Sequence, residues 1–502
     1  MKNKLKYIFL LPLAFLFFTT RIDPDFGWHL RLGKEILENN TFTNNITYTC
    51  TNYIWTNHSW LSDVDIYWIY IHLGMAILSA FFSFLIILGV YFNYKTFKYL
   101  FKDKVSYFHT VLFIIISYLI LMAFITIRPQ IISFVFISIL LNRLVKIYYE
   151  NLSKKDVVFG IILFLLWGNL HGGFVVGYAL ISLFILVIFT KFTLLIFQNA
   201  KPELAFKKLK ESSKFFILIL TSLPFTVINP FGFNSWVEAF NNIVSPQNSS
   251  FISEWSSVNL KQQYGLLYFL IFISTLVLII LNKKVNYLRL ALLLIFGLLS
   301  LYTIRYALIA APIVSICFCV EFIYFYNKTK AFFLTDDVSK LLKSMTTVIP
   351  IVFILIISAG GLYNFYDWVK TNLDFKYSIN FEFENYPYKS VEFLKTHPEY
   401  LKLNIFNFYT WGGYLSWVMP EQKWFIDGRM PAWNCAGKVE TNILKDYMEL
   451  ESVGVNWRKA IEAYDIRVVL MNKNSKIVNL LMEDKDWMVV FDEGDEVVLI
   501  KI

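Results

Sequence analysis

Charge is scarce in this chain. Asp, Glu, Lys and Arg make up 17% of its 502 residues, against about 25% in an ordinary soluble protein. That deficit argues against one large soluble globule. Cysteine is scarce too, with four residues at positions 50, 317, 319 and 435. Their spacing fits neither a zinc site nor a disulfide framework. Cys317 and Cys319 lie inside an apolar run and read as packing residues. Cys50 and Cys435 retain the option of pairing outside the cell, where disulfides persist. The strings that mark many soluble enzymes are missing: no Walker A loop, no His-Glu-x-x-His, no Gly-x-Ser-x-Gly. This counts against an ATP-driven role. The N-terminus, Lys2 to Lys6 followed by Tyr7–Phe18, resembles a signal peptide but has no small-residue cleavage site. It reads as an uncleaved first helix.

What the chain does have is apolar mass: 57% hydrophobic and 19% aromatic residues. The distribution is uneven. Residues 1–369 alternate long apolar runs with short polar gaps, and residues 370–502 have the composition of a soluble domain. A span needs ~20 largely apolar residues. Eleven runs qualify: 5–20, 64–92, 106–127, 131–149, 157–170, 173–197, 215–229, 264–281, 287–304, 306–326 and 346–363. The division at His171-Gly172-Gly173 is the one on which the count most depends. The expectation is an α-helical polytopic membrane protein of about 11 transmembrane helices with a C-terminal extracytoplasmic α/β domain.

Lysine placement gives the orientation. The formal charge of +9 would suggest nucleic acid as a partner for a soluble protein, but here the lysines punctuate apolar runs. They gather at Lys2, Lys4 and Lys6, at Lys95–Lys104, at Lys154 and Lys155, at Lys201–Lys214, at Lys283 and Lys284, and at Lys328–Lys343. With eleven spans, all of these gaps fall on one side, and the positive-inside rule makes that side cytoplasmic. The N-terminus is then cytoplasmic. The first loop (21–63), the 230–263 loop and the C-terminal domain face outward, and no nucleic acid is expected as a partner.

The outward segments carry polar residues that anchoring alone does not explain. Ionisable groups at or near membrane depth are costly and mark functional sites by default. Asp23-Pro24-Asp25 follows the first span. Two carboxylates so placed can split roles, one ionised as a base and the other held protonated by its neighbour. The structural alternative is an N-cap for a helix starting near Phe26. Arg128-Pro129-Gln130 and Arg305 supply guanidinium groups, which match phosphate in a bidentate manner. In Asn169-Leu170-His171-Gly172-Gly173 an imidazole stands beside two glycines. Glu254-Trp255 offers a carboxylate and an aromatic platform for a sugar.

Taken together, Asp23-Pro24-Asp25, Trp28-His29, Asn57-His58-Ser59-Trp60-Leu61-Ser62, Arg128-Pro129-Gln130, Asn169-Leu170-His171-Gly172, Asn229-Pro230-Phe231-Gly232, Glu254-Trp255, Trp411-Gly412-Gly413-Tyr414-Leu415 and Phe425-Ile426-Asp427-Gly428-Arg429 resemble the GT-C superfamily of membrane glycosyltransferases. More closely, they resemble a largely uncharacterised prokaryotic subgroup of it. The resemblance runs almost the whole length. It implies a polyprenyl-phosphate-linked sugar as donor and a glycan, lipid or protein acceptor at the outer face of the membrane. Transfer would proceed by inversion, with Asp23 or Asp25 as base. It further implies Trp28, His29, His58, Arg128, His171, Glu254 and Arg305 as substrate-binding residues, with Arg128, Arg305 and His171 on the departing phosphate. Some members use a divalent metal on the acidic motif, so a metal on Asp23 and Asp25, with His29 nearby, stays open.

In the C-terminal domain, helices are expected at Tyr388–His397, Glu440–Leu450 and Trp457–Tyr464. Strands are expected at Asn404–Phe408, Lys423–Ile426, Arg467–Met471, Met488–Phe491 and Glu496–Lys501. Trp411-Gly412-Gly413-Tyr414 and Asp427-Gly428-Arg429 read first as tight turns with a buried Asp–Arg pair, and second as an acceptor site. The rival functions are a membrane transporter or flippase and a non-catalytic scaffold. No internal repeat of the kind transporters show is evident.

Overall fold

The computed structural model describes residues 11–19, 21–42, 46–51, 53, 55–102, 105–198, 201–244, 253–283, 285–332, 355, 358–371, 386–430 and 435–502. The chain divides into two compact units. The first comprises residues 1–21, 79–239 and 249–374; the second comprises residues 22–78, 240–248 and 375–502.

The first unit is helical. Among the described residues of the whole chain, five helices are long and apolar enough to cross a membrane: Trp60–Leu100, whose residues 60–78 belong to the second unit, and Gln130–Tyr149, Phe174–Phe197, Gln263–Asn282 and Ile304–Thr329. Tyr107–Leu121 and Tyr287–Tyr302 are apolar but shorter. Lys154–Leu170 lies on the expected run 157–170, whereas Pro202–Ser222 starts well before the expected run 215–229 and ends inside it. The expected span 5–20 is described only from Leu11, and much of 346–363 lies outside the described residues. The helix starts follow local chemistry. Ser106 and Ser153 each accept a hydrogen bond from the third helical residue, closing reciprocal capping boxes with His109 and Asp156. Pro224 cannot donate into a helical ladder, and Pro202–Ser222 gives way there to the short 3-10 turn Leu223–Val227. The division at His171 is real: Lys154–Leu170 ends, His171 is extended, and Phe174–Phe197 begins. Large apolar side chains such as Phe197, Leu220 and Ile280 point outward and stay exposed, as lipid contact allows and water does not. Inside, Arg289 donates twice to Oε1 of Glu321 (3.0 and 2.8 Å) and Asn282 donates to its Oε2 (2.8 Å). This clamp joins three helices.

The second unit is α/β. Its strands are β1 (Asn404–Asn407), β2 (Ile466–Asn472), β3 (Trp487–Glu493) and β4 (Glu496–Lys501), in sheet order β1-β2-β4-β3. The β1–β2 pair is parallel and the others are antiparallel. Helices Tyr388–Thr396, Ile443–Glu451 and Trp457–Ala463 match expectation, and Lys476–Glu483 is an additional one. Lys423–Ile426, expected as a strand, joins no sheet among the described residues. Trp424 instead exchanges backbone hydrogen bonds with Ile46 and Tyr48 of the first loop, and the side-chain oxygen of Asn407 accepts from the Phe425 N–H at 2.8 Å. Trp424, Phe425 and Ile426 are all fully buried, so an apolar run read as a strand is a core-crossing loop.

Helix Phe26–Asn39, from the first loop, packs on helix Gly412–Val418 at backbone contact. A Cβ on Gly27 would stand 2.2 Å from the Gly413 carbonyl oxygen, and one on Gly413 would stand 2.5 Å from that of Pro24. Gly412-Gly413 is therefore the start of a helix, not the tight turn expected. Cys50 and Cys435 are disulfide-bonded, with Cα atoms 6.1 Å apart, inside the usual range for such a bridge. Cys317 and Cys319 are free and buried. Alkylation of the denatured chain therefore modifies two thiols without reductant and four with it, as mass spectrometry will read.

Candidate functional site

The acidic string belongs to the second unit. Asp23 is buried, and its Oδ1 accepts from the Asp25 N–H at 2.9 Å, an Asx turn that sets the chain into helix Phe26–Asn39. Asp25 stands at the N-cap position of that helix, but its carboxylate makes no capping hydrogen bond. It lies instead against Gly428, where a Cβ would meet Oδ1 at 1.9 Å. The neighbours of that glycine hold the turn rigid. Arg429 donates Nε to Oδ1 of Asp427 (2.8 Å) and Nη2 to Oδ2 (2.5 Å), with both side chains fully buried. The Arg429 guanidinium stacks over Trp55 at 5.1 Å, and Trp55 meets Trp28 edge-on at 6.0 Å. The expected buried Asp–Arg pair is present, and it frames the acidic motif. Tyr386 donates to the Asp23 carbonyl at 3.3 Å. Burial, with Asp23 and Asp25 adding to it, pushes the Tyr386 hydroxyl pKa up, so it stays a donor.

Trp28 and His29 occupy the first turn of the same helix, with ring centroids 3.7 Å apart. His29 Nδ1 lies 2.6 Å from Oδ1 of Asp63, whose Oδ2 accepts from Asn57 at 2.6 Å. Ser59 adds a third donor to Asp63 at 3.4 Å. His58 sits half-buried in the turn that precedes helix Trp60–Leu100. The Asn57–Ser62 string is thus a device for holding one buried carboxylate. Among the described residues no group of three or more His, Cys, Asp or Glu stands together in a way that could hold a metal ion.

Arg128, His171, Glu254 and Arg305 belong to the first unit. Arg128 binds Glu254 in a fork, Nη1 to Oε1 at 3.0 Å and Nη2 to Oε2 at 3.1 Å, while its Nε is held by Gln130 at 3.1 Å. Arg305 reaches the same carboxylate at 3.5 Å and lies over the Trp255 ring at 4.9 Å. Three residues read separately in the sequence therefore form one cluster, two cations on one anion. Burial raises the Glu254 pKa, but Arg128 and Arg305 outweigh it and bring it from 4.5 to about 2. His171 has its own setting. Its Nδ1 accepts from the Gly173 N–H (3.0 Å) and lies 2.7 Å from the Ser133 hydroxyl, which in turn accepts from the Trp167 indole at 2.8 Å. With Nδ1 accepting from the Gly173 N–H, the neutral ring carries its proton on Nε2. Asn169 and Asn229 spend their amides on backbone carbonyls of Leu165, Ile228 and Thr226, so these two motifs shape the loop.

Asp63 was not among the site residues expected from the sequence. Sequence reasoning missed the roles of Ser133 and Gln130, and it missed Gly428 as the seat of Asp25. The tight Asn57-x-Ser59-x-x-x-Asp63 spacing was the one local signal.

No protein-family profile and no curated protein matches the chain. Among solved structures it is similar to ArnT from Cupriavidus metallidurans in the apo state, at 12% identity and a TM-score of 0.48 over 100% of this chain and 98% of that one. It is equally similar to the same protein bound to undecaprenyl phosphate, at 12% identity and a TM-score of 0.48, covering 100% and 99%.

Two outcomes follow from the geometry. Gly428→Ala must push the Asp25 carboxylate aside. That carboxylate ends a short, rotatable side chain, so the fold survives and the displacement falls on the site. The expected result is a melting temperature within a few degrees of wild type and a loss of whatever activity needs Asp25. Glu254→Gln removes the anion between two arginines. With 41% of the Glu254 side chain exposed, the loss of stability is about 1 kcal/mol. Because the folded pKa is depressed, this contribution is fully present above pH 4.5 and fades as pH falls toward about 2. The melting difference between wild type and Glu254→Gln is therefore constant from pH 5 to 8 and shrinks in acid.

Proposed function

We propose that the chain is a membrane glycosyltransferase that moves a sugar from a polyprenyl-phosphate-linked donor to an acceptor hydroxyl at the outer face of the membrane. The observation that carries this reading is the convergence of Arg128 and Arg305 on one carboxylate. Guanidinium groups already arranged around an anion suit a leaving phosphate, whose charge grows as the glycosidic bond breaks. His171 is a further group we assign to that charge. On the acceptor side, a base must take the hydroxyl proton. Of the two aspartates we assign this role to Asp25, whose carboxylate rests against Gly428 at the start of helix Phe26–Asn39. Direct displacement with inversion follows from one base and one leaving group. The disulfide between Cys50 and Cys435 belongs to an oxidising compartment, which supports the outward placement of the second unit and a cytoplasmic N-terminus.

The test uses the full-length chain in lipid nanodiscs, polyprenyl-monophosphate-linked hexoses and pentoses as donors, and an envelope extract as acceptor. Release of polyprenyl monophosphate is measured. Wild type is expected to release it, and Asp25→Asn to lower the rate at least about 100-fold with expression and insertion intact. An Asp23→Asn, Asp25→Asn double variant that turns over at the wild-type rate rules out the acidic motif. A wild type that releases nothing but moves the intact donor across the bilayer favours a flippase.

A further inference from the structure

The first-loop helix buries a second acid–base pair beside the acidic motif. His29 is 3% exposed and the Asp63 side chain is fully buried. A carboxylate so buried is strongly destabilising unless it is bonded on all sides, and three donors converge on Asp63: His29 Nδ1, the Asn57 amide and the Ser59 hydroxyl. If the pair served only to fasten the loop, an amide in place of the imidazole would do the same work. An imidazole has a second nitrogen, and Nε2 of His29 makes no hydrogen bond to any described residue. Since a carboxylate only accepts, Asp63 fixes the proton on Nδ1 and leaves the lone pair on Nε2.

The position of His29 gives that lone pair a purpose. The His29 N–H bonds the Asp25 carbonyl at 3.3 Å, closing one helical turn. Residues four apart lie on one helix face, about 5–6 Å apart at Cβ. His29, backed by the Asp63 carboxylate, stands one helical turn on from Asp25.

We propose that His29 is the proton relay of the loop-one site and Asp63 its positioning residue. This rests on the transferase reading. The acceptor oxygen forms its bond to the anomeric carbon as the bond from that carbon to the phosphate oxygen breaks, and polyprenyl monophosphate leaves with the electron pair. The hydroxyl proton passes to Asp25 and on to Nε2 of His29. The resulting imidazolium is stabilised by the Asp63 carboxylate and then gives its proton to water.

The experiment combines turnover with a direct view of the ring. In the nanodisc assay with polyprenyl-monophosphate-linked sugars, His29→Asn keeps a side-chain N–H for Asp63 and so keeps the fold, with a melting temperature within a few degrees of wild type. Its kcat is expected to fall about 100-fold with KM unchanged. Asp63→Asn is expected to lower kcat in the same way, because the amide can donate to Nδ1 and move the proton to Nε2. Nitrogen NMR of histidine-labelled protein at neutral pH, with His29→Asn for assignment, is expected to show His29 protonated on Nδ1 only. The Nε2 signal should shift in Asp25→Asn. A His29→Asn chain with wild-type kcat, or an Nε2-protonated ring in wild type, overturns the relay alone. A wild-type chain that releases no lipid phosphate overturns the transferase reading, and the relay with it.

Discussion

The backbone of Gly413 comes close enough to Pro24 and Gly27 that no side chain fits between them. Much of the second unit depends on that approach. It sets a helix from the C-terminal part of the chain flat against the helix that begins at Asp25, and it brings the Asp427-Gly428-Arg429 turn up to the acidic motif. Three glycines are needed at this junction because two backbones and a carboxylate occupy space that Cβ atoms would otherwise fill. The remaining features fit around it. The Asp427–Arg429 pair is affordable in a dry interior because both partners are present and bonded bidentately, and the Trp28, Trp55 and Arg429 stack fills the space beside it.

The first unit follows a different constraint. In lipid, apolar contact does not distinguish one helix packing from another, so polar contacts contribute specificity. The Asn282–Arg289–Glu321 clamp, the Ser133–Trp167–His171 chain and the Arg128–Glu254–Arg305 cluster each join segments that are separate in sequence. The first is fully explained as a fastening. The other two bring together the residues to which the proposed phosphate contacts are assigned.

The sequence by itself determined that the chain carries long apolar helices and which polar residues stand out from them. Helix period, capping serines, Pro224 and the His171 break are local properties, decided by neighbours within a turn or two. It also determined the C-terminal strands at 404–407, 466–472 and 496–501, whose apolar content is dense enough to read directly. What only the tertiary structure decided were the partners. Lys423–Ile426 has a strand's composition, yet its hydrogen bonds go to the first loop and to Asn407, and composition carries no record of partner. Gly412-Gly413 has the look of a turn until a second backbone lies against it. Glu254 is one acidic residue until two arginines reach it, and Asp63 is a polar residue at a helix start until His29 is bonded to it. In each case the physical reason is the same: backbone preferences act over a few residues, whereas the pairing of a buried charge or the need for a missing Cβ is set by atoms that chain distance does not bring together.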